Sequence, residues 1–145
     1  MLPRELLSII RAAAYKAGEA AVRAREEEVG GEAVGVGRSG DTTLRGDLEA
    51  ERAAVEYISG KLDDAVIVSE EMGAKTLGKG GVVVVIDPID GSRNYKRGSP
   101  LFTVSIAAAL GETLEEVVAG VVYAPVLGFE AVSYTHLTLP TSDLV

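Results

Sequence analysis

The sequence has 145 residues, 47% of them hydrophobic and 25% charged, with a formal net charge of −8. This composition is typical of a globular domain, and the acidic balance argues against a nucleic-acid partner, which requires a basic surface. Cysteine is absent, which excludes disulfides, zinc–thiolate sites and thiol catalysis. No segment approaches the roughly 18 apolar residues of a membrane span and no signal peptide is apparent, so we expect a cytoplasmic protein.

A long helix is predicted at the N-terminus. Its apolar positions recur at three- and four-residue steps, and Pro3 suits a first helical turn. We expect this helix to end near Glu28, with a solvated Arg- and Glu-rich end. Its small apolar face implies close packing against another helix. The residues of that face are Leu6, Ile10, Ala13, Ala17, Ala20, Ala21 and Ala24.

A second helix is predicted after a glycine-rich stretch. Residues 30–46 predict a short hairpin or an irregular loop. Asp47 is a favourable N-cap for the helix that follows. The apolar stripe of this helix comprises Leu48, Val55, Ile58 and Leu62.

Strands are predicted in the rest of the chain. Residues 65–71 form a short buried strand, and residues 72–81 a flexible loop rich in Gly and Lys. Residues 82–86 are an unbroken apolar run, which predicts a strand buried on both faces. Residues 101–110 and 115–125 form two further strands joined as a hairpin. The order of elements predicts an α+β layered αβ sandwich, with an N-terminal helix pair packed on a largely antiparallel sheet.

Two of the predicted strands end in acidic residues. Glu70 closes the first strand, and Asp87 and Asp90 close the second, within the stretch VVIDPIDGSRNY. If the strands are neighbours, their carboxylates converge, and the repulsion is costly unless a cation compensates it. Mg²⁺ favours carboxylate and carbonyl oxygens, so the two aspartates and the Ile89 carbonyl can converge on such an ion.

The turn after this strand has the features of an anion site. Gly91 permits a close approach of the backbone. If Ser92 opens a helical turn, the amides of Gly91 and Ser92 point outward, as at other helix N-termini that bind phosphate. The sequence therefore predicts a phosphate pocket beside a metal site.

These motifs resemble those of a known family. DPIDGSRNY is similar to the signature D-P-[IL]-D-G-[ST]-x-N-[FY] of the inositol monophosphatase family, which includes the archaeal-type fructose-1,6-bisphosphatases. GDTTLRGD and SEE precede it in the family's order, and SPLFTVSIAAAL and AGVVYAP resemble the strands that follow. Because three separated motifs agree, the match is specific. It implies a sugar-phosphatase-like fold whose C-terminal αβ domain is missing here.

The resemblance also implies a role for each matching residue. Glu70 and Ser92 would position the attacking water. Asp47 would accept a hydrogen bond from the Ser92 hydroxyl, and the amides of Gly91 and Ser92 would hold the substrate phosphate. The Mg²⁺ ligands would be Glu70, Asp87, Asp90 and the carbonyl of Ile89.

The implied reaction is hydrolysis of a phosphomonoester of a small polyol or sugar, such as inositol 1-phosphate or fructose 1,6-bisphosphate, by metal-activated water. The resemblance suggests a homodimer for the full-length parent. One alternative is a 3′(2′),5′-bisphosphate nucleotidase-like member. Another is a truncated, catalytically silent fragment that binds metal and phosphate. A purely structural role is disfavoured, because core packing does not need the carboxylates.

Several other charged residues are not expected to act directly in the site. Glu71 is expected to be a solvated neighbour of Glu70 rather than a ligand. Lys75 and Lys79 are expected to be ordinary loop lysines, although a mobile basic loop could cover the substrate. Arg38 is expected to be solvated, and Asp41 to close a turn.

The C-terminal tail departs from the family pattern. The stretch VSYTHL resembles the translation of a transposase-type sequencing adaptor. We therefore expect residues 1–131 to be the N-terminal domain of a phosphatase and residues 132–145 to be a non-native read-through tail. The alternative is a truncated native strand, in which Val132, Tyr134 and His136 lie on one face.

Overall fold

The computed structural model describes residues 1–27, 33–36 and 42–135. Within these ranges the helices are α1 (Pro3–Glu26), α2 (Arg45–Lys61) and α3 (Ser92–Lys96), and a 3₁₀ turn covers Leu114–Glu116. The strands are β1 (Ala33–Val36), β2 (Thr42–Leu44), β3 (Ala65–Ser69), β4 (Gly73–Leu77), β5 (Val82–Asp90), β6 (Thr103–Ala109), β7 (Val117–Ala124) and β8 (Phe129–Tyr134). Arg38, Asp41 and His136 lie outside the described residues.

The predicted helix pair is confirmed. Helix α1 begins at Pro3, ends at Glu26 and packs against α2. Helix α1 also contacts β6 and β7, and α2 contacts β5, so the pair covers one face of the sheet. The alanine face predicted for α1 is buried apart from the half-buried Ala20. Small side chains there let the two helices approach closely.

The start of α2 differs from the prediction. The helix begins at Arg45, so Asp47 is its third residue and not its N-cap. Its carboxylate still stabilises the helix start, because the Leu44 N–H donates to Asp47 Oδ2 at 3.2 Å. In the predicted apolar stripe, Leu48 is only half-buried, whereas Val55, Ile58 and Leu62 are buried.

The sheet is mostly antiparallel, as predicted. Its strand order is β4-β3-β5-β6-β7-β8. The strands β1 and β2 form a separate two-stranded sheet. Within the six-stranded sheet, β3 and β5 run parallel and the other pairs run antiparallel. In the parallel pair Ser69 lies opposite Ile86, so both strands end at the same edge of the sheet.

The prediction of a loop over residues 72–81 is wrong, because half of this segment forms the edge strand β4 (Gly73–Leu77). This strand pairs with β3 across a three-residue turn, and Gly73 follows that turn with a φ of 81°. The middle residues of β4 are exposed, so the strand has no apolar signal. Lys75 donates to Ser59 Oγ at 3.2 Å, and the backbone N–H of Lys79 donates to Asp64 at 2.8 Å.

The prediction that β5 is buried on both faces is also wrong. Val84 is fully buried on the helix side, whereas Val85 is 49% exposed. In the part of the chain that the structure describes, the helices cover one face of the sheet, and Val122 on the other face is likewise exposed. Among the described residues, no helix is long and apolar enough to cross a membrane.

The last strand crosses the predicted domain boundary. Residues 132–134 belong to β8, where Val132 pairs with Val121 of β7. The side chain of Arg11 in α1 forms an ion pair with Glu130 of β8, which ties this edge strand to the helix layer. The domain boundary and the non-native origin of residues 132–145 stay predictions.

Candidate metal and phosphate site

The candidate site lies at the edge where β3 and β5 end. Because Ser69 is opposite Ile86 in the parallel ladder, Glu70 and Asp87 follow at equivalent positions on neighbouring strands. The first turn of α2 brings Asp47 to the same region. The carboxylates of Glu70 and Asp87 both act electrostatically on Asp47. The structure therefore brings together acids that are separated by 40 positions in the chain, from Asp47 to Asp87.

Asp47 is the most deeply buried acid of this cluster, with 3% of its surface exposed. Burial is the largest of the effects that raise its pKa to about 7, and the nearby charges of Glu71, Glu70 and Asp87 add to it. The hydrogen bond from Leu44 acts in the opposite direction. In the described part of the chain, Asp47 Oδ1 is buried and has no hydrogen-bond partner. An unpaired carboxylate oxygen of this kind is costly without a cation or a proton.

Asp87 has the same character. Burial raises its pKa, and the charge of Asp90 raises it further. Its Oδ1 is also buried without a hydrogen-bond partner among the described residues. The ladder between β5 and β6 is irregular from Asp87 to Asp90. Pro88 lies in this bulge, where the lack of an N–H does not interrupt regular pairing. The exposed Asp90 follows at the end of the strand.

Gly91 forms the turn that leads from β5 into α3. Its φ of 95° lies in the left-handed region, and a Cβ atom there would be 3.0 Å from the Leu101 carbonyl oxygen. Any larger residue would meet both a backbone strain and a close contact. Glycine therefore sets the path of the chain between Asp90 and the start of α3.

The predicted hydrogen bond between Ser92 and Asp47 is absent. The Ser92 hydroxyl instead donates to the carbonyl of Ile89 at 3.4 Å. This distance is long for a hydroxyl donor. The Ile89 carbonyl, which was expected to be a metal ligand, is thus the acceptor of the serine.

Tyr95 anchors the short helix α3 and was not singled out from the sequence. It is fully buried, and its hydroxyl donates to the carbonyl of Ala21 at 2.7 Å. Burial raises its pKa to about 12. A Cβ atom at Gly46 would lie 2.1 Å from this hydroxyl, so the glycine leaves room for it. Tyr95 therefore joins α3 to both α1 and the start of α2.

Arg25 and Glu51 are two further residues that the sequence did not reveal. Arg25 was expected on a solvated face, but it donates to the carbonyls of Ser99 at 2.7 Å and Tyr95 at 3.2 Å. Its guanidinium lies 4.9 Å from the ring centre of Phe102. Glu51 is 3% exposed on α2 and accepts a hydrogen bond from the backbone N–H of Glu71 at 2.9 Å. Neither contact has a local sequence signal, because the partners are 20 or more positions away.

The cluster fits a divalent cation in charge and in donor type. Among the described residues, two buried carboxylate oxygens lack a hydrogen-bond partner. A hard cation would compensate these oxygens and the repulsion between the acids. As they stand, however, the described Asp, Glu and His side chains do not form a group of three or more that could hold a metal ion. Coordination by several of these residues therefore requires their side chains to move.

The sequence model of the inositol monophosphatase family matches residues 2–138. The chain belongs to the inositol monophosphatase family. It is 38% identical over 90 residues to the fructose-1,6-bisphosphatase/inositol-1-monophosphatase of Archaeoglobus fulgidus, covering 62% of this chain and 34% of the relative. It is 35% identical over 121 residues to Nus factor SuhB of Haemophilus influenzae, covering 83% and 44%.

A solved structure shows the same architecture as this chain. The extragenic suppressor protein suhB from Bartonella henselae superposes with a TM-score of 0.74 at 27% identity, covering 90% of this chain and 48% of that protein. This match confirms the predicted fold. The chain spans less than half the length of each of these three proteins.

Proposed function

We propose that this chain is the cation- and phosphate-binding part of a Mg²⁺-dependent phosphatase that hydrolyses a phosphomonoester of a small polyol or sugar. The observation that carries the proposal is the convergence of acids from α2, β3 and β5. Two of them, Asp47 and Asp87, keep a buried oxygen without a hydrogen-bond partner in the described structure. Nothing in core packing requires this arrangement, and it is unfavourable unless a ligand compensates it.

The residues proposed to hold Mg²⁺ are Glu70, Asp87, Asp90 and the carbonyl of Ile89. When bound, Mg²⁺ neutralises charge on the phosphoryl group and lowers the pKa of water. The long hydrogen bond from Ser92 to Ile89 is weak, so its release is inexpensive. Release would make the Ile89 carbonyl available to the cation and the Ser92 hydroxyl available to water.

The remaining roles concern the substrate phosphate and the attacking water, and they centre on the turn after β5. We infer that the amides of Gly91 and Ser92 hold the substrate phosphate. The Ser92 hydroxyl and the Glu70 carboxylate orient the attacking water. Asp47 accepts from the Ser92 hydroxyl once that hydroxyl has left Ile89. Two residues keep this turn in place. Tyr95 is anchored in the core by its hydroxyl, and Gly91 fixes the path of the backbone.

The substrate class is supported by the family. The Archaeoglobus relative bears the name of an enzyme for fructose 1,6-bisphosphate and inositol 1-phosphate. A second candidate, a chain that binds cation and phosphate without turnover, stays a prediction. A bisphosphate nucleotidase-like specificity, a homodimeric full-length parent and a cytoplasmic location stay predictions.

Phosphate release tests the proposal. The purified chain is incubated with inositol 1-phosphate or fructose 1,6-bisphosphate, with Mg²⁺ or with EDTA. We expect release that requires Mg²⁺ and that Asp90→Asn abolishes, because the change removes a ligand charge. Asp64→Asn is the matched control, since Asp64 is also an exposed acid but lies at the other end of β3.

The outcomes separate the two candidates. Binding of Mg²⁺ without turnover would favour the silent fragment. Turnover that is equal in EDTA, or equal in the Asp90→Asn variant, would contradict the metal role. A folded chain that neither binds Mg²⁺ nor releases phosphate would overturn both candidates.

A further inference from the structure

Glu51 is a buried carboxylate to which the proposed function gives no role. It lies on α2 one helical turn after Asp47, and 3% of its surface is exposed. Residues four positions apart lie on the same face of a helix, so Glu51 faces the same side of α2 as Asp47. Acidic side chains are rarely buried to this extent unless a partner compensates the burial.

The partner of Glu51 lies on another element. The backbone N–H of Glu71 donates to Glu51 Oε1 at 2.9 Å. Glu71 is the middle residue of the three-residue turn between β3 and β4, because Ser69 and Gly73 are the last pair of that hairpin. A hydrogen bond from an amide to a carboxylate is charge-assisted and stronger than one between neutral groups. Glu51 therefore ties the turn to the helix layer.

This hydrogen bond also restrains the backbone of Glu70. The amide that Glu51 binds belongs to the peptide group between Glu70 and Glu71, so the hydrogen bond fixes the backbone on the C-terminal side of Glu70. On its N-terminal side, Ser69 is held in the ladder opposite Ile86. Glu70 is thus held from both sides at the end of β3, where Asp87 continues the neighbouring strand.

We propose that Glu51 is a positioning residue that sets the cation affinity of the site by holding the peptide group after Glu70. This inference rests on the proposed function, in which Glu70 binds Mg²⁺. Groups that orient metal ligands without touching the metal typically change metal affinity by about 10- to 100-fold when they are replaced. A contact that only stabilised the fold would leave the Mg²⁺ affinity of the folded protein unchanged.

The test compares two variants of the 145-residue chain. Glu51→Met has a similar size but no acceptor, and Glu51→Gln keeps an oxygen acceptor but no charge. The control is Asp64→Ala, since Asp64 Oδ1 accepts the backbone N–H groups of Lys79 and Gly81 at the other end of β3. Calorimetry measures Mg²⁺ affinity, and NMR measures amide exchange of Glu71 without Mg²⁺. Circular dichroism verifies folding.

We expect faster exchange of the Glu71 amide and at least about tenfold weaker Mg²⁺ binding in Glu51→Met. Glu51→Gln should keep the amide protected and the affinity within about threefold of the parent, because its side-chain oxygen still accepts. Asp64→Ala should leave the Mg²⁺ affinity unchanged.

The positioning role is overturned if Glu51→Met folds, its Glu71 amide exchanges freely, and its Mg²⁺ affinity still equals that of the parent. If Glu51→Met does not fold, Glu51→Gln decides: a tenfold loss of affinity with a protected amide would show that charge acts, and not position. A folded parent without Mg²⁺ binding would instead refute the proposed function, and with it the role of Glu51.

Discussion

Replacing Asp47 by Asn is expected to stabilise the protein in the absence of divalent cations. The ionised carboxylate is buried, has one unpaired oxygen in the described structure and is close to other acids. Asn has the same shape, and its oxygen can still accept from the Leu44 N–H. The substitution therefore removes the charge with little change in packing.

The magnitude follows from the pKa of Asp47. Its value rises from 3.8 to about 7 in the folded state, mainly because of burial. The raised pKa means that the folded protein binds the proton more tightly than the unfolded chain does. This proton-linked stability is fully present below the unfolded pKa and is lost as pH rises from about 4 to about 7. At pH 8 the raised pKa therefore lowers the unfolding free energy of the parent by on the order of 4 kcal/mol, since one pKa unit is about 1.4 kcal/mol.

The assay is urea unfolding of the parent and of Asp47→Asn at pH 5 and pH 8 in EDTA. We expect the variant to be more stable at pH 8, by up to the value above, and this advantage to shrink at pH 5. Saturating Mg²⁺ should also reduce the advantage at pH 8, because a bound cation compensates the carboxylate of the parent. A variant that is no more stable than the parent at pH 8 in EDTA would refute the argument that the cluster is electrostatically strained.

Three other substitutions test the turn after β5. Gly91→Ala should lower the unfolding free energy by about 1 to 3 kcal/mol because its φ is left-handed and its Cβ would contact a carbonyl. Gly98→Ala, which also has a positive φ but no atom within 4 Å, should cost less in the same urea titration, and equal costs would argue against the contact. Tyr95→Phe should cost about 1 to 2 kcal/mol, since it removes a buried hydrogen bond. The half-buried Tyr57 is the control, and Tyr57→Phe should change stability by less than about 0.5 kcal/mol. Ser92→Ala in a full-length parent should lower turnover more than Mg²⁺ affinity, and the opposite pattern in steady-state kinetics and calorimetry would contradict its proposed role toward water.

Strong local patterns made the main elements predictable from the sequence. The alanine periodicity of α1 corresponds to a buried face, and the apolar runs at 82–86 and 101–110 lie on β5 and β6, although only one face of β5 is buried. The edge strand β4 could not be predicted, because an exposed edge needs no apolar side chains. The exposure of Val85 depends on which face the helices cover, and that is a tertiary property.

The candidate site was predictable to the extent that acids followed strand ends. The prediction that Glu70 and Asp87 converge depended on β3 and β5 being neighbours. The parallel pairing of β3 with β5 confirms that the two strands are neighbours. Side-chain hydrogen bonds were not predictable, as the acceptor of the Ser92 hydroxyl shows. The contact of Glu51 joins residues 20 positions apart, and no local pattern indicates it.

The most direct test of the account is whether Mg²⁺ stabilises this chain through the acidic cluster. Urea unfolding at pH 8 is measured for the parent, Asp87→Asn and the control Asp64→Asn over a range of Mg²⁺ concentrations. A ligand at 100 times its dissociation constant stabilises a protein by about 2.7 kcal/mol. We predict a gain of this order for the parent and for Asp64→Asn, and little or none for Asp87→Asn. Equal gains in all three proteins, or none in the folded parent, would contradict the claim that the ends of β3 and β5 form a cation site.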